Sequence, residues 1–586
     1  MSNDKRHQYE NATVLDQAFL DAAHDNLLNK LELVVDIEDP LAPGTFIRAS
    51  DRNKYVVDGT GAGTFYEALL VFPVIKRTVG EFQSPTLEFS QLELELSNVD
   101  GRFNDRLPGG AGFAGWVGRS VTVRLGLGET ESTYRTIFTG FVTEQGGFKR
   151  SVSSITLVAR DRFDRVNKSF PTQVFTEATY PMIEQDKVNT QVPLIYGDWT
   201  VNVEPGMASV PATVVNGRDP DVNGDTSHAS NLQLVIANHP LVSFDTSEVY
   251  LRRGEKVWLV PSTDVTAVSI AGTPSSFEIV QQAGTMLAQT PDTDDQGLEF
   301  GSGDTFFVKV KGLALAGALD DNPVAQAKDI LKTYGGMVDL DFDANWATYA
   351  AKSAPSESAI AAIKSRIWIQ EPENVLEYAL SLLEQVRLEA FIDRNLKMKI
   401  LALHLDDFEA SPTFMVRNWD VAQGSLRLSI DERTNFNRAK AVFNLLPNRK
   451  ENLSETVIYK NDLAITQAGK AISKKIVFPN LYSEADVIAQ LKETLRITSS
   501  YLENVEVTLT WRSMLLDVGD FVKLNVKIQS AEFSDVPALV REIGYDPAGM
   551  KVPLKLWSFQ MLPFPGYVPA YSGTVGGSTA TIDAEM

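Results

Sequence analysis

The length, composition and charge of this chain exclude several classes of protein. With 586 residues it is too long for one hydrophobic core, and its 44% apolar and 22% charged residues argue against disorder. The absence of cysteine excludes disulfides and thiolate metal sites, and a formal net charge of −22 argues against a surface that grips DNA. No apolar run approaches the ~20 residues that cross a bilayer, and the polar start is not a secretory signal. We therefore expect a soluble protein made in a cytoplasm.

The first part of the chain predicts an amphipathic helix followed by antiparallel strands. Residues 13–31 carry apolar side chains near a period of 3.6, which is typical of a helix with one apolar face. This helix either packs on the β domain that follows it or docks onto a neighbouring subunit. Leu92, Leu94 and Leu96 alternate with glutamates, as in a half-buried strand, and residues 98–101 form the turn that ends it. We interpret the region as a compact antiparallel barrel or sandwich, because the alternation returns in residues 121–125, 137–142 and 155–159.

A glycine-rich run at residues 59–63 could suggest a phosphate-binding loop. Neither a helix signal nor a Gly-Lys-Ser/Thr sequence follows the run, so the helix N-terminus that would hold a phosphate is missing. We interpret the run as a hairpin loop.

Residues 171–320 predict a second all-β region, which is strongly acidic. The segment holds 19 acidic and 7 basic residues and so supplies −12 of the net charge. These acidic residues form either a solvated face that aids solubility or the wall of a passage that repels DNA. Glycine, proline and long loops separate the strand-like stretches, which are residues 232–236, 248–252, 257–260, 276–280 and 305–310.

Helices are predicted after residue 320. Asn322 can cap a helix that begins at Pro323, and Gly335 and Gly336 can end it. The strongest amphipathic stripe lies in residues 371–386. The other predicted elements here are helices at 344–352 and 357–365 and a β-hairpin of residues 388–392 and 396–401.

The last part of the chain predicts a further β region and one helix. Ser483 can cap a helix over residues 483–499, and the Asp517-Val518-Gly519-Asp520 sequence predicts a tight turn. From residue 566 the composition shifts to Gly, Ser, Thr and Ala, which predicts a tail that is flexible until a partner orders it. A β region spans residues 415–442, and the later strands are residues 505–511, 521–526, 537–543 and 552–557.

No pattern in the sequence predicts a catalytic centre, a cofactor site or a firm metal site. No Gly-x-Ser-x-Gly or HExxH motif is present, and no two histidines have ligand spacing among His7, His24, His228, His239 and His404. A weak calcium-loop candidate consists of Asp219, Asp221, Asn223 and Asp225. Ser230 stands where such a loop needs a bidentate glutamate, so a solvated acidic loop and a calcium loop remain the two alternatives.

Several short motifs, in their order from residue 92 to Trp199, resemble the N-terminal half of tailed-bacteriophage baseplate hub (tail hub) proteins. The motifs are LSNVDGRFND, GWVGRSVTVRLG, IFTGFV, ITLVARDRFDRVNK and PLIYGDW. The helix followed by a hairpin, and the DVGD turn at residues 517–520, resemble the same family at later stages of the chain.

The resemblance implies a mainly β, multidomain fold with some α structure and with two tail-tube-like antiparallel β-barrels. An inserted β domain and a helix-hairpin region lie between the two barrels. The implied division is an N-terminal arm at 1–30, a first barrel at 31–168, an acidic β domain at 169–320, a helical region with a β-hairpin at 321–402, a second barrel at 403–565 and a flexible tail at 566–586.

The resemblance further implies a non-enzymatic structural protein of the virion, located at the tail tip or baseplate. Three copies would join the sixfold tail tube to a threefold spike or tip and line the DNA passage. The implied partners are the tail tube or distal tail protein, the spike or tip protein and other baseplate proteins, with the tape measure protein as a further candidate. Neither specific nucleic-acid binding nor integral membrane association is implied.

Two functions from other classes remain alternatives. A tail-associated cell-wall hydrolase would require an inserted lysozyme-like or Cys/His-type domain, for which the sequence has no signal. A carbohydrate-binding adhesin would use exposed aromatic side chains, and Trp258 and Phe277 in the middle region are candidates. Aromatic residues in strands are more often part of the core.

Overall fold

The computed structural model describes most of the chain. The predicted N-terminal helix at 13–31 and the tail at 566–586 lie outside the described residues. The described residues are 32–58, 60–71, 75–78, 91–108, 114–126, 128–143, 148–151, 153–181, 183–201, 209–216, 232–254, 256–270, 273–279, 305–315, 318–319, 321–351, 362–393, 395–402, 414–430, 436–445, 447, 453–499, 503–510, 513, 516–528, 531–546 and 551–558.

The early strands of the chain, with one exception, form a first large sheet. They are β1 (Glu32–Glu38), β2 (Phe46–Ser50), β3 (Lys54–Val57), β4 (Gly63–Ala68), β5 (Leu70–Val71), β6 (Ile75–Thr78), β7 (Gln91–Ser97), β8 (Ser120–Gly126), β9 (Arg135–Val142), β10 (Phe148–Arg150) and β11 (Ser154–Asp161). The order is β3-β4-β2-β1-β8-β9-β11-β7-β5, with β10 beside β11, and β6 belongs to another sheet. All pairs are antiparallel except β2 with β4.

Strand β7 shows why the alternating sequence folds as it does. Leu92, Leu94 and Leu96 are fully buried, whereas the glutamates between them are exposed. The strand ends where the Asn98 side-chain oxygen accepts a hydrogen bond of 2.9 Å from the Phe103 N–H. Gly101 follows with φ +73, a left-handed conformation that glycine adopts without steric cost. The predicted strand and turn are confirmed.

The middle of the chain forms a second sheet of antiparallel strands. The elements of this part are β12 (Ser169–Phe170), β13 (Leu194–Tyr196), β14 (Val210–Asn216), β15 (Leu232–Ala237), β16 (Ser243–Arg253), β17 (Lys256–Leu259), β18 (Val265–Ser269), β19 (Ser275–Ile279) and β20 (Thr305–Lys311). The sheet has the order β17-β16-β20-β14-β15-β19-β18. We call this sheet the middle β unit, and its apolar face forms a core of its own.

The helical region follows the middle β unit. Its elements are β21 (Ala314–Leu315), β22 (Ala318–Leu319), α1 (Pro323–Thr333), α2 (Asn345–Ala351), β23 (Ile367–Ile369), β24 (Glu373–Asn374), α3 (Val375–Gln385), β25 (Leu388–Ile392) and β26 (Met398–Ala402). Asn322 caps α1 as predicted, because its side chain accepts from the N–H groups of the first turn. Most of the candidate helix at 357–365 lies outside the described residues.

Helix α3 begins later than the sequence predicts. The prediction started it at residue 371, but Glu373–Asn374 pairs as β24 with β12. The Asn374 side chain then accepts from the N–H groups of Leu376 and Glu377, so the first helical residue is Val375. The predicted hairpin is present, because β25 and β26 pair antiparallel across their whole length.

The last part of the chain contains a second large sheet and a small α/β unit. The elements are β27 (Phe414–Arg417), β28 (Arg427–Ile430), β29 (Arg438–Leu445), β30 (Leu453–Lys460), α4 (Asp462–Ala468), β31 (Ser473–Phe478), α5 (Glu484–Thr498), β32 (Glu503–Thr510), β33 (Phe521–Ile528), β34 (Ala531–Tyr545) and β35 (Lys551–Ser558). The large sheet has the order β27-β33-β34-β35-β32-β28, with β6 beside β34. Residues 436–499 form the α/β unit, whose sheet has the order β30-β29-β31.

The two large sheets repeat one strand order. Six strands of the first sheet lie side by side in the order β1-β8-β9-β11-β7-β5. If these six strands alone are numbered from 1 to 6 in chain order, their order across the sheet is 1-4-5-6-3-2. In the second sheet the path β27-β33-β34-β35-β32-β28 gives the same ranking. The pairing directions also agree, except that β27 pairs parallel with β33 whereas β1 pairs antiparallel with β8.

A turn of the same sequence and geometry precedes the fourth of these strands in both sheets. Its sequence is Val-Gly-x-x-Val, with Gly118 at φ +79 in the first sheet and Gly519 at φ +80 in the second. The Gly118 N–H donates to the Val142 carbonyl at 2.9 Å, and the Gly519 N–H donates to the Val540 carbonyl at 2.8 Å. Each of these valines donates back, at 2.9 Å, to the residue after the glycine.

One hydrophobic core joins the two large sheets. It includes Leu94 and Val123 from the first sheet and Val522 and Leu556 from the second, all almost fully buried. The mainly β fold with some helix that the sequence predicts is confirmed. A separate core is formed by the helices, the β25–β26 hairpin and the α/β unit. The buried apolar residues of 436–499 other than Ile497 therefore pack with the helical region and not with the sheet on either side of them in sequence.

The paired glycines give a direct test of the turn. We expect Gly118→Ala to cost about 1–2 kcal/mol in free energy of unfolding, since an alanine side chain there meets open space and only the left-handed backbone is unfavourable. Gly519→Ala should cost roughly 1–3 kcal/mol more, because its side chain would collide with the Phe391 ring. Denaturant unfolding followed by tryptophan fluorescence measures both variants, and equal losses would contradict this packing.

Candidate functional site

The PLIYGDW stretch lies where the middle β unit, the helical region and the α/β unit meet. We call this place the central joint and define it by Tyr196, Trp199, His239, Asp329 and Arg366. Strand β13 pairs antiparallel with β23 of the helical region, which brings the stretch against the joint. The glycine after Tyr196 has φ +77, and any side chain there would collide with the Ser365 carbonyl oxygen. The close approach of these two segments of the chain therefore requires glycine.

Tyr196 links the stretch to helix α1. Its hydroxyl donates to the Asp329 carboxylate at 2.6 Å, and its ring is fully buried. Burial, and then the nearby Asp329 charge, raise the pKa of Tyr196 well above its ordinary value. The hydroxyl therefore stays protonated and serves as a hydrogen-bond donor.

His239 links the same stretch to the middle β unit. The Ile195 N–H donates to Nε2 of His239 at 2.9 Å, so Nε2 carries no hydrogen. The other ring nitrogen, Nδ1, then donates to the Pro240 carbonyl oxygen at 2.8 Å. Burial lowers the pKa of His239, which agrees with a neutral ring whose two nitrogens are both used.

Arg366 connects the middle β unit with the α/β unit. Its side chain is buried, and its guanidinium lies 4.4 Å from the Trp199 ring centroid and 4.8 Å from that of Tyr482. The guanidinium donates to the Val201 carbonyl at 2.9 Å and to the Asn444 side-chain oxygen at 2.5 Å. A desolvated cation between two rings contributes about 2 kcal/mol or more per contact, so this residue is a strong tie.

The central joint is suited to positioning and not to chemistry. Tyr196 and Arg366 are at most 2% exposed, so a substrate would have no access to their polar atoms. The raised pKa of Tyr196 and the engaged nitrogens of His239 supply neither a nucleophile nor a general base. The arrangement fixes the orientation of the middle β unit relative to the helices.

A second joint attaches the β25–β26 hairpin to the second large sheet. Glu389 of β25 forms an ion pair with Arg541 of β34, and both side chains are largely buried. The Arg541 guanidinium also lies 3.8 Å from the Trp557 ring centroid. Burial raises the pKa of Glu389, while the neighbouring arginine opposes that shift. Removing one partner of such a buried pair typically costs about 3–5 kcal/mol.

The structure brings few of the sequence-derived candidates into a site. The calcium-loop candidate, Asp219, Asp221, Asn223 and Asp225, lies outside the described residues, as do His7, His24, His228 and His404. Within the described ranges, no group of three or more His, Cys, Asp or Glu side chains could hold a metal ion. Trp258 and Phe277 pack in the core of the middle β unit and are not available as sugar-binding platforms.

Residues 60–62 of the glycine-rich run lie in the loop between β3 and β4, and Gly63 is the first residue of β4. The Asp58 carboxylate accepts from the N–H groups of Thr60 and Ala62 at 2.8 and 2.9 Å. These N–H groups are thus used within the loop, which agrees with a hairpin turn.

Sequence reasoning did not find Asp329 or Arg366, and it placed His239 only as an isolated histidine. Their partners lie between 44 and 165 residues away along the chain in the hydrogen bonds of His239 with Ile195, of Asp329 with Tyr196 and of Arg366 with Val201 and Asn444. The one local signal was the PLIYGDW stretch itself, which marked where the joint would form.

The described helices include none with the length and hydrophobicity to cross a membrane. No protein-family profile and no curated protein matches the sequence.

Solved structures of tail and virion proteins show a distant likeness to this chain. The 43 kDa tail protein of prophage MuSo2 from Shewanella oneidensis is 11% identical, with 90% of this chain and 98% of that chain covered and a TM-score of 0.37. A tail protein from Neisseria meningitidis MC58 is 9% identical, with 90% and 96% covered and a TM-score of 0.38. The virion of a native gene transfer agent particle gives 11% identity, 68% and 91% coverage and a TM-score of 0.36. Values this low do not establish a family.

The Tyr196 hydrogen bond can be tested by removing one oxygen. We expect Tyr196→Phe to lower the free energy of unfolding by about 1–3 kcal/mol, because the Asp329 carboxylate loses a charged hydrogen bond. Tyr55→Phe is the matched control, since Tyr55 is 51% exposed. Thermal unfolding of both variants would contradict the assignment if the two losses were equal.

The buried His239 predicts a specific acid sensitivity. Folding lowers its pKa below the ~6.5 of an unfolded histidine, so the unfolded chain takes up the proton first and stability falls as pH drops below about 6.5. We expect His239→Gln to reduce the loss of melting temperature between pH 7 and pH 5.5. Tyr196→Phe keeps this histidine and should retain the full loss, and identical pH profiles for wild type and His239→Gln would contradict the prediction.

Proposed function

We propose that this protein is a structural, non-catalytic component of a phage-type tail, acting as a trimeric hub that joins a sixfold tail tube to a threefold spike or tip. The observation that carries the proposal is the repeated strand order of the two large sheets within one chain. Three copies of such a chain would supply six similar modules, which a sixfold ring requires. The repeated Val-Gly-x-x-Val turn supports a common origin of the two modules.

The shared core of the two sheets supports this geometry. Because Leu94 and Leu556 belong to one hydrophobic cluster, the two modules of a chain keep a fixed relative orientation and do not move independently. In the proposal each module is a tail-tube-like barrel, the first spanning residues 31–168 and the second 403–565. In chain order, the middle β unit and the helical region lie between the two modules and the α/β unit is inserted within the second, so each of these units recurs three times around the ring.

The proposed neighbours follow from this placement. The ring of modules would contact the tail tube or a distal tail protein on one side and the spike or tip protein on the other. Other baseplate proteins, with the tape measure protein as a further candidate, complete the set. The acidic segment at 171–320, with its charge of −12, would line the passage and repel DNA so that the DNA slides without binding.

The two alternative functions have separate tests. A cell-wall hydrolase would clear peptidoglycan in a zymogram at the mass of the full chain. An adhesin would bind defined sugars on a glycan array, although the burial of Trp258 and Phe277 removes the two aromatic residues that favoured this function. Clearing in the zymogram or sugar binding on the array would overturn the proposal of a hub that is neither catalytic nor adhesive.

The trimer is the most direct test of the proposal. We expect native mass spectrometry of the purified protein to give about three times the 64.5 kDa of one chain, since two modules per copy require three copies for a ring of six. A stable monomer at micromolar concentration, or a hexamer, would contradict the proposed stoichiometry.

Immunogold labelling of particles should place the protein at the tail end away from the head, and label along the tail or on the head would contradict the location.

A further inference from the structure

A groove of about 390 Å³ runs between strand β31 and the C-terminal end of helix α3, within the range of volumes typical of ligand sites. Residues 474–479 all line it, although successive side chains of a strand point to opposite faces. A groove that touches both faces of a strand must follow its edge. The opposite wall is made by Ser381 and Glu384 of α3 and by Leu388 at the start of β25.

The groove follows an edge of the sheet that is open within the described residues. Strand β31 is the last strand in the order β30-β29-β31, and the described strands include none that pairs with its far side. It pairs with β29 alone, from Ser473 opposite Arg438 to Phe478 opposite Phe443. An edge strand presents unpaired N–H and C=O groups that can accept another strand.

The side chains along the edge are accessible. Ser473, Lys475 and Val477 are exposed along β31, and Val477 is 47% exposed although it is apolar. An open edge strand with an exposed apolar side chain is the type of surface that strand addition uses, with main-chain hydrogen bonds for affinity and alternate side chains for specificity.

The charges of the groove favour an acidic ligand. Lys474, Lys475 and Arg387 supply three positive charges, against Glu384 and Glu389. The second of these glutamates is already in an ion pair with Arg541 of the second large sheet, so the groove has a net positive balance in a chain of net charge −22.

The buried part of the groove also disfavours isolated charge. Burial lowers the pKa of Lys474 and raises the pKa of Glu384, and each of these groups partly offsets the shift of the other. Lys475 points to the opposite, exposed face of the strand, so an acidic side chain can pair with it there without entering the buried part.

We propose that this groove binds an extended, acidic segment of a partner protein, which adds as a strand to the free edge of β31. The carboxylates of the segment would lie on the exposed face of β31, beside Lys475, and its alternate, apolar side chains would lie on the other face, toward the groove with Ile476 and Leu388. The groove is lined by the α/β unit and the helical region, and none of its lining residues belongs to the two large sheets. The proposal therefore stands apart from the trimeric hub, and each can fail without the other.

The test uses the full chain and fluorescein-labelled octapeptides. The first alternates valine with glutamate, the second alternates valine with lysine, and the third is the acidic peptide with its two central valines replaced by proline. Fluorescence anisotropy should show binding of the acidic peptide at least tenfold tighter than of the other two. Equal binding of the proline peptide would overturn strand addition, because proline lacks the N–H that the ladder needs.

Two charge reversals locate the binding. Lys475→Glu should weaken binding of the acidic peptide at least tenfold. Lys470→Glu, the same change at an exposed residue outside the groove, should change the affinity for this peptide less than twofold. Equal effects of the two variants, or no binding of the acidic peptide at all, would overturn the proposal. Hydrogen exchange of the amides in 473–478 should slow when the acidic peptide is bound, and unchanged exchange there would also overturn it.

A second copy of the chain is the competing occupant. If Lys475→Glu altered the mass of the protein in solution while the acidic peptide failed to bind, the edge would serve contact between copies and the proposal would be wrong. An unchanged mass together with selective peptide binding would support a separate partner.

Discussion

The hydrophobic core shared by the two large sheets is the constraint on which the rest of the structure depends. Its strands come from residues 32–161 and 414–558, with more than 250 residues between the two segments. Burying a large apolar side chain contributes about 1.5–3 kcal/mol relative to exposing it, and the core contains many such residues from each sheet. The two segments therefore fold against each other, and the intervening chain must leave and return at fixed points.

Strand β6 strengthens this union by a different interaction. The chain leaves the first sheet after β5, and β6 then pairs with β34 of the second sheet, with Ile75 opposite Tyr545 and Thr78 opposite Glu542. Main-chain hydrogen bonds thus cross from one module to the other in addition to side-chain packing. The two sheets are therefore held together by both kinds of interaction.

The inserted units are attached by buried polar contacts as well as by apolar packing. Arg366 lies between two aromatic rings and donates to two separate units, and Glu389 pairs with Arg541 across the hairpin joint. Such contacts are directional, so they define an orientation where apolar packing alone tolerates small rotations. The groove beside β31 is lined by the α/β unit and the helical region, and its residue Glu389 pairs with Arg541 of the second large sheet.

The sequence by itself determined the features that depend on a few neighbouring residues. The alternation of Leu92 to Leu96 specified a strand, and Asn322 and Ser483 specified helix starts, because backbone geometry and capping act within one or two turns. Only the tertiary structure decided the strand order, the pairing of β6 with β34 and the separate packing of residues 436–499. The alternation in β29 resembles that of β32, and no local pattern tells which sheet a strand will join. Which distant segments pair depends on the total apolar surface that the whole chain buries when it folds, and the local sequence pattern of one strand does not contain that total.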